Sequence, residues 1–160
     1  LQRGNFERAG HGYYRLPEIP PAEHDDLAWL AFWSRDRGDQ PQAVASHQTA
    51  LAVHELSDLL PTTIHLTVPR SFRKAAMRGV VLHPAELRPT DIEQWEGFSV
   101  TTPLRTLLDV GADASVSEEH LKRAVQQAIE RGLVRKTKIL QAAKALGAAA
   151  RLSRILKAVR

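Results

Sequence analysis

The sequence predicts an α/β protein of the α+β kind: a small, mostly antiparallel sheet packed with helices, followed by a basic C-terminal helical bundle. Three observations carry this expectation. Residues 63–68 alternate apolar and polar with a period of two, and further short β-favouring runs follow before residue 102, punctuated by Pro and Gly. From Thr102 onward the apolar residues recur at helical spacing. Charge also divides late in the chain. Of the 22 basic and 18 acidic residues, the stretch from Leu121 to Arg160 holds 11 and 1, leaving 11 and 17 elsewhere, so a tail of +10 and a body of −6 make the formal +4.

Composition removes several classes of function. With 160 residues, 43% hydrophobic and 25% charged, the chain matches an ordinary globular protein and is long enough to bury a core without staples. It has no cysteine, which excludes a disulfide scaffold, a cysteine-ligated metal and a thiol nucleophile, and suits a reducing compartment. No apolar run approaches the ~20 residues of a membrane span, and no signal-peptide pattern opens the chain. A soluble, cytoplasmic protein with no membrane partner is expected. The start at Leu1, with Met77 the only methionine, reads as part of something longer.

Residues 1–16 read as a strand pair. Gly10 and Gly12 suit a turn, and Tyr13-Tyr14-Arg15-Leu16 brings β-favouring aromatics. Rimmed by Arg3, Arg8 and Arg15, this hairpin has the form of the wing of a winged helix-turn-helix; an ordinary surface hairpin is the alternative. Pro17, Pro20 and Pro21 make residues 17–22 a stiff linker and a domain boundary.

The remainder, 23–160, is expected to divide into a sheet-containing part (23–113) and a basic helical part (114–160). A helix over 23–37 opens with Glu23, Asp25 and Asp26, which favour its dipole, and Gly38 stops it. Its Trp29 and Trp33 read as core or interface anchors. Ala43-Val44-Ala45 is extended, and Ser46 caps a helix that runs to Leu56, before Leu59-Leu60-Pro61. Strands follow at Thr63–Val68, with Ile64, Leu66 and Val68 inward, and at Gly79–His83, with Arg70, Arg73, Lys74 and Arg78 in the loop between. Ile92–Trp95 and Phe98–Thr101 flank a Glu96-Gly97 turn. Thr102 and Pro103 start a helix with Leu104, Leu107, Leu108 and Val110 as its stripe. Helices then run from Ser117 to Arg131, closed by Gly132, and over 137–146 and 149–159 on either side of Gly147.

No enzyme is expected. The histidine pairs nearest to metal-ligand spacing are His47/His54 and His65/His83, without an accompanying carboxylate motif, and each reads as a packed or capping residue. Phosphate loops, dinucleotide fingerprints and nucleophile elbows are absent from the sequence, and Asp109 reads as a structural hydrogen-bonding group. Catalysis would need His47, His54 and a carboxylate around one cavity. No metal or other cofactor is expected. A neutral-to-acidic body with a basic end instead points to a polyanion or an acidic protein surface.

One ordered series is more specific. Gly12-Tyr13-Tyr14-Arg15-Leu16, Ala45-Ser46-His47-Gln48-Thr49-Ala50-Leu51, His54-Glu55-Leu56-Ser57-Asp58, Ile64-His65-Leu66-Thr67-Val68-Pro69, Gly79-Val80-Val81-Leu82-His83 and Gly97-Phe98-Ser99-Val100-Thr101-Thr102-Pro103-Leu104-Arg105-Thr106-Leu107-Leu108-Asp109 follow one another in order. The series, from about residue 10 to 113, resembles the AbiEi family: antitoxins and transcriptional regulators of bacterial type IV toxin–antitoxin systems. The resemblance implies an N-terminal winged helix-turn-helix, of which residues 1–16 would be the remaining wing, and a larger domain needed for antitoxicity. The recognition helix that precedes a wing in that plan is not in this chain. A related segment also precedes Vsr-like nuclease domains, but the carboxylate-poor tail argues against that form.

The partners implied are the operon's own promoter DNA and a nucleotidyltransferase-like toxin, engaged directly or indirectly, with a homodimer as a further option. On charge, the candidate DNA-binding residues are Arg3, Arg8 and Arg15 on the wing and Lys122, Arg123, Arg131, Arg135, Lys136 and Lys138 in the tail. The alternative is an interaction module that holds the toxin or a second copy, with the same cations as rim contacts.

Overall fold

The computed structural model describes the backbone of Glu7–Gly10 and Tyr13–Arg15, and residues 22–58 and 61–159 in full. Arg3, most of the proline-rich linker, Leu59-Leu60, Arg160 and the side chains of Arg8 and Arg15 lie outside the described residues. The expected strand pair is present. β1 (Glu7–Gly10) runs antiparallel to β2 (Tyr13–Arg15), and its register shifts between Arg8 and Gly10.

Helix α1 (Asp25–Trp33) buries Leu27, Leu30 and Ala31. It stops well short of the expected residue 37, and the reason lies in two side chains. Ser34 turns its hydroxyl back to the Ala31 carbonyl (2.8 Å) and accepts from the amides of Gln42 (3.0 Å) and Ala43 (2.9 Å). Asp36 Oδ1 accepts from the amides of Gly38 and Gln40. These bonds offer the backbone an alternative to the helix, as short polar side chains do, and residues 35–42 become a loop. That loop leads to β3 (Val44–Ala45) and then α2 (His47–Val53), which ends before the expected Leu56 as Glu55 takes a left-handed conformation (φ 54°).

The sheet continues with β4 (Ile64–Val68), β5 (Val80–Pro84), β6 (Ile92–Gln94), which follows a 3₁₀ turn at Pro89–Asp91, and β7 (Ser99–Thr101). Its order is β5-β4-β3-β7-β6. The expectation of a mostly antiparallel sheet needs correction. β3/β4 and β6/β7 are antiparallel, whereas β3/β7 and β4/β5 are parallel. The 69–79 connection is long enough to carry the chain back across, so β5 runs beside β4 in the same direction from Ile64↔Val80 to Val68↔Pro84. The alternation in β4 also conceals its burial. His65, Leu66, Thr67 and Val68 are all buried, because this strand lies inside the sheet and is covered on both faces.

Four helices follow: α3 (Pro103–Ala112), α4 (Glu118–Glu130), α5 (Lys136–Ala143) and α6 (Ala149–Ala158). The caps of the first two act as expected. Thr102 accepts from the Arg105 amide with Pro103 at the first helical position, and Ser117 accepts from the His120 amide. Gly132 closes α4 at φ 71°. α5 ends three residues before the expected 146.

Two apolar clusters hold the protein together. Leu27, Leu30 and Ala31 of α1 pack with Leu66, Val68, Phe98 and Val100 of the sheet region. Leu107, Leu121, Val125, Ile139, Leu152 and Leu156 unite α3 to α6. α2 serves both, giving Ala50 and Val53 to the first cluster and Leu51 to the second, so the sheet and the helical part share one helix.

Candidate functional site

The basic side chains of the tail divide into two groups. Several reach across to carbonyl oxygens at the C-terminal ends of other helices, groups that a helix leaves without internal partners. Arg131 donates from Nη1 to the carbonyls of His54 (2.8 Å) and Glu55 (3.2 Å), just past α2. Lys136 donates to the Val159 carbonyl after α6 (3.1 Å). Arg151 donates to the carbonyl of Asp113, the C-cap of α3, and also to that of Val116, which precedes the Ser117 cap of α4. Cations at these positions also meet the negative end of the helix dipole. Arg123 is held by Glu119 (3.3 Å) and Asp58 (3.4 Å), and Arg154 by Glu118 (3.4 Å).

The second group is uncommitted. Lys122 on α4, Arg135 at the N-cap of α5, Lys138 on α5, Lys144 at its C-cap and Lys157 on α6 are exposed and make no ion pair or side-chain hydrogen bond to another described residue. Lys138 stands at the rim of a cleft of about 570 Å³ that also takes in Arg88, Leu104, Gln141 and Leu146. Of the tail residues predicted from sequence to meet DNA, Lys122, Arg135 and Lys138 have their charge free for a partner. Arg8 and Arg15 lie on the hairpin strands, where Glu7 pairs with Arg15 and Arg8 with Tyr14 in register.

Beneath this surface lies a polar junction. Arg105 is nearly buried and donates from Nε to Asp109 (2.8 Å) and from Nη1 to Asp91 (3.3 Å), while Arg88 bonds Asp91 from outside (3.1 Å). Burial pushes the Asp109 carboxyl above its ordinary range against the pull of Arg105. For Asp91, burial acts upward too, but the hydrogen bonds and charge of Arg88 and the charge of Arg105 bring its carboxyl below the ordinary range. The structural hydrogen bond expected of Asp109 is the one it accepts from Arg105. Nearby, Thr101 and Thr106 share a hydroxyl bond (2.7 Å), and His54 Nε2 bonds the Thr101 carbonyl (2.7 Å).

The sequence reading missed how the histidines meet. His47 and His54 lie apart in function: His54 faces Thr101 and Trp95, while His47 stacks on His83 with ring centroids 3.7 Å apart. His65 and His83 do pair, sharing a hydrogen bond of 2.9 Å between Nδ1 and Nε2. Register explains this. Thr67 lies opposite His83 in the parallel β4/β5 ladder, which puts His65 and His83 on one face. His65 Nε2 also bonds Thr63, and His47 bonds Ser46 through Nδ1 (2.9 Å) while holding a left-handed backbone (φ 52°). Such a conformation is uncommon for a residue other than glycine.

Burial, then the neighbouring imidazoles, lowers His47 and His83 to about 4, and burial lowers His65 as well. At neutral pH the three rings are therefore uncharged. Each can offer a donor and an acceptor nitrogen, chemistry that suits a hydrogen-bonded junction between α2, β4 and β5. Among the described residues no group of three or more His, Cys, Asp or Glu side chains has the geometry to hold a metal ion. No helix among them is long and apolar enough to cross a membrane. In comparisons with known proteins, no family model and no curated protein sequence matches the chain.

Proposed function

We propose that this chain is the antitoxin and transcriptional autoregulator of a bacterial type IV toxin–antitoxin system, acting in the cytoplasm. It binds promoter DNA through a winged helix-turn-helix, whose wing is the β1/β2 hairpin, and through a basic surface, and it counteracts a nucleotidyltransferase-like toxin. The observation that carries this reading is the convergence of the motif residues. Ser46, His47, His54, His65, His83, Thr101, Arg105 and Asp109 are spread along the chain, yet they join in hydrogen bonds, ring stacking and charge contacts around α2, the sheet and α3. The series that resembles the AbiEi family thus links α2, the sheet and α3. Lys122, Arg135 and Lys138 supply the non-specific phosphate contacts, while base readout belongs to the winged helix-turn-helix.

The test couples two assays. Expression of the parent protein is expected to repress a reporter driven by its own operon promoter and to relieve growth arrest by the neighbouring nucleotidyltransferase-like protein. Failure of both contradicts the reading. A second reading, an interaction module that holds the toxin or another copy, draws on the exposed Leu133, Leu140 and Leu146 on the same helical part. Co-purification of the toxin that survives nuclease treatment, with no promoter repression, would favour it.

A further inference from the structure

The most cationic recess among the described clefts is remote from the tail. It has a volume of about 610 Å³ and lies between the loop after α1 and the β4–β5 connection, where Arg35, Arg37, Gln42, Ser71, Arg73 and Lys74 line it together with Asp36. None of the tail cations contributes, and its aromatic supports, Trp33 and Phe72, belong to the sheet-side apolar cluster.

Its parts differ in what they are free to do. Lys74 is structural: its ammonium caps α1 by donating to the carbonyls of Trp33 and Arg35, and so fixes one wall to the other. Asp36 is occupied by the amides of Gly38 and Gln40 and by the Gln42 side chain. Among the described residues Arg73 bonds only carbonyls of its own loop, at 3.3 Å, and no carboxylate. Arg37 is exposed and has no partner among the described residues. Arg35 reaches Asp39 (3.0 Å), yet its Nε is shielded from solvent and lacks an acceptor among the described residues. Arg70 and Arg78, both exposed, extend the positive surface along the same connection.

Phe32, 62% exposed, does not line this recess but is joined to it through Arg35, whose guanidinium lies 4.8 Å from its ring centre. Solvated cations alone fit any polyanion. An aromatic ring held in the open by a stacked arginine, next to a concave basic wall, fits a chain of phosphates whose bases are unstacked.

We propose that this cleft binds single-stranded nucleic acid, with Arg37 and Arg73 on successive phosphates and Phe32 stacked against a base. Duplex DNA keeps its bases inside the stack and would leave Phe32 without a role. The proposal is independent of the antitoxin reading, since it uses neither the hairpin nor the tail.

Fluorescence anisotropy tests it, with the full chain titrated into a labelled oligothymidylate of about 12 nucleotides and, separately, into a labelled duplex of mixed sequence. Arg37→Ala with Arg73→Ala is expected to weaken oligothymidylate binding by about tenfold and to flatten its salt dependence by roughly 0.7 for each phosphate no longer neutralised. Phe32→Ala, a change at an exposed helical position, is expected to weaken it about tenfold with the salt slope unchanged, because stacking releases no counterions. Duplex affinity should hold in both variants, and Lys122→Gln with Arg135→Gln and Lys138→Gln should leave the oligothymidylate untouched. Unchanged oligothymidylate affinity in the arginine variant overturns the proposal. So does equal loss on duplex and single strand, a silent Phe32→Ala, or displacement of the oligonucleotide by a phosphopeptide at lower concentration. Failure of promoter repression with these results intact would count against the antitoxin reading alone.

Discussion

Arg105 neutralises two buried carboxylates at once, Asp91 at 3.3 Å and Asp109 at 2.8 Å, from a side chain only 10% exposed. Deleting one partner of a buried ionic cluster leaves the others uncompensated, so Arg105→Ala is expected to cost roughly 3–5 kcal/mol in urea unfolding. A loss under about 1 kcal/mol, the scale of an exposed pair, would contradict this account of the junction. The histidines give a pH dependence of definite sign. His47 and His83 fall from 6.5 when unfolded to about 4 when folded, so below 6.5 the unfolded chain binds more protons. Stability should therefore hold above pH 6.5 and decline as the pH falls towards 4, with His83→Gln reducing the slope of the urea midpoint over that window. The caps at Thr102-Pro103 and Ser117 were legible in the sequence because they are local and stand next to the amides they serve, whereas Ser46, expected to cap α2, stands at its N-cap but makes no capping bond and gives its hydroxyl to His47 Nδ1. The histidine junction was not legible, because His65 and His83 meet only through the register of β4 against β5.

Helix α3 packs against α6 through a glycine. A Cβ on Gly111 would stand 3.0 Å from Leu152 Cγ and Cδ1, closer than the core can absorb without a shift. Gly111→Ala gains helix propensity of about 1 kcal/mol but overpacks a fully buried leucine, which commonly costs about 1–3 kcal/mol. The expected result is a variant no more stable than the parent, read from its thermal midpoint; clear stabilisation would show that α3 and α6 have room to separate. At this scale the helical half was readable from its apolar period, since that period is set by the same face that becomes buried. Strand direction was not readable, because Pro- and Gly-bounded strands look alike whether the link between them is a hairpin or a crossover. The end of α1 was misplaced for a related reason. Ser34 and Asp36 sit within a helical pattern, and the bonds of Ser34 to the amides of Gln42 and Ala43, with the local turn that Asp36 makes to Gly38 and Gln40, show that Arg35 and Arg37 belong to a loop.

Across the whole molecule, the +10 of the tail is divided among ion pairs at Arg123 and Arg154, bonds to carbonyls, and free charge. Arg131, Lys136 and Arg151 hold carbonyls at helix ends, and Lys74 does the same for α1 from the other half of the protein. Lys122, Arg135 and Lys138 remain for a partner, as do Lys144 and Lys157. The sequence shows the surplus but not its division, because a cap and a phosphate contact use the same side chain. The measurement that bears most directly on the proposed function is the salt dependence of binding to the operon promoter duplex. For Lys122→Gln with Arg135→Gln and Lys138→Gln, the plot of log affinity against log salt is expected to flatten by roughly 0.9 for each phosphate that the removed cations had neutralised, with folding intact. A slope identical to that of the unaltered protein would contradict DNA binding by this surface.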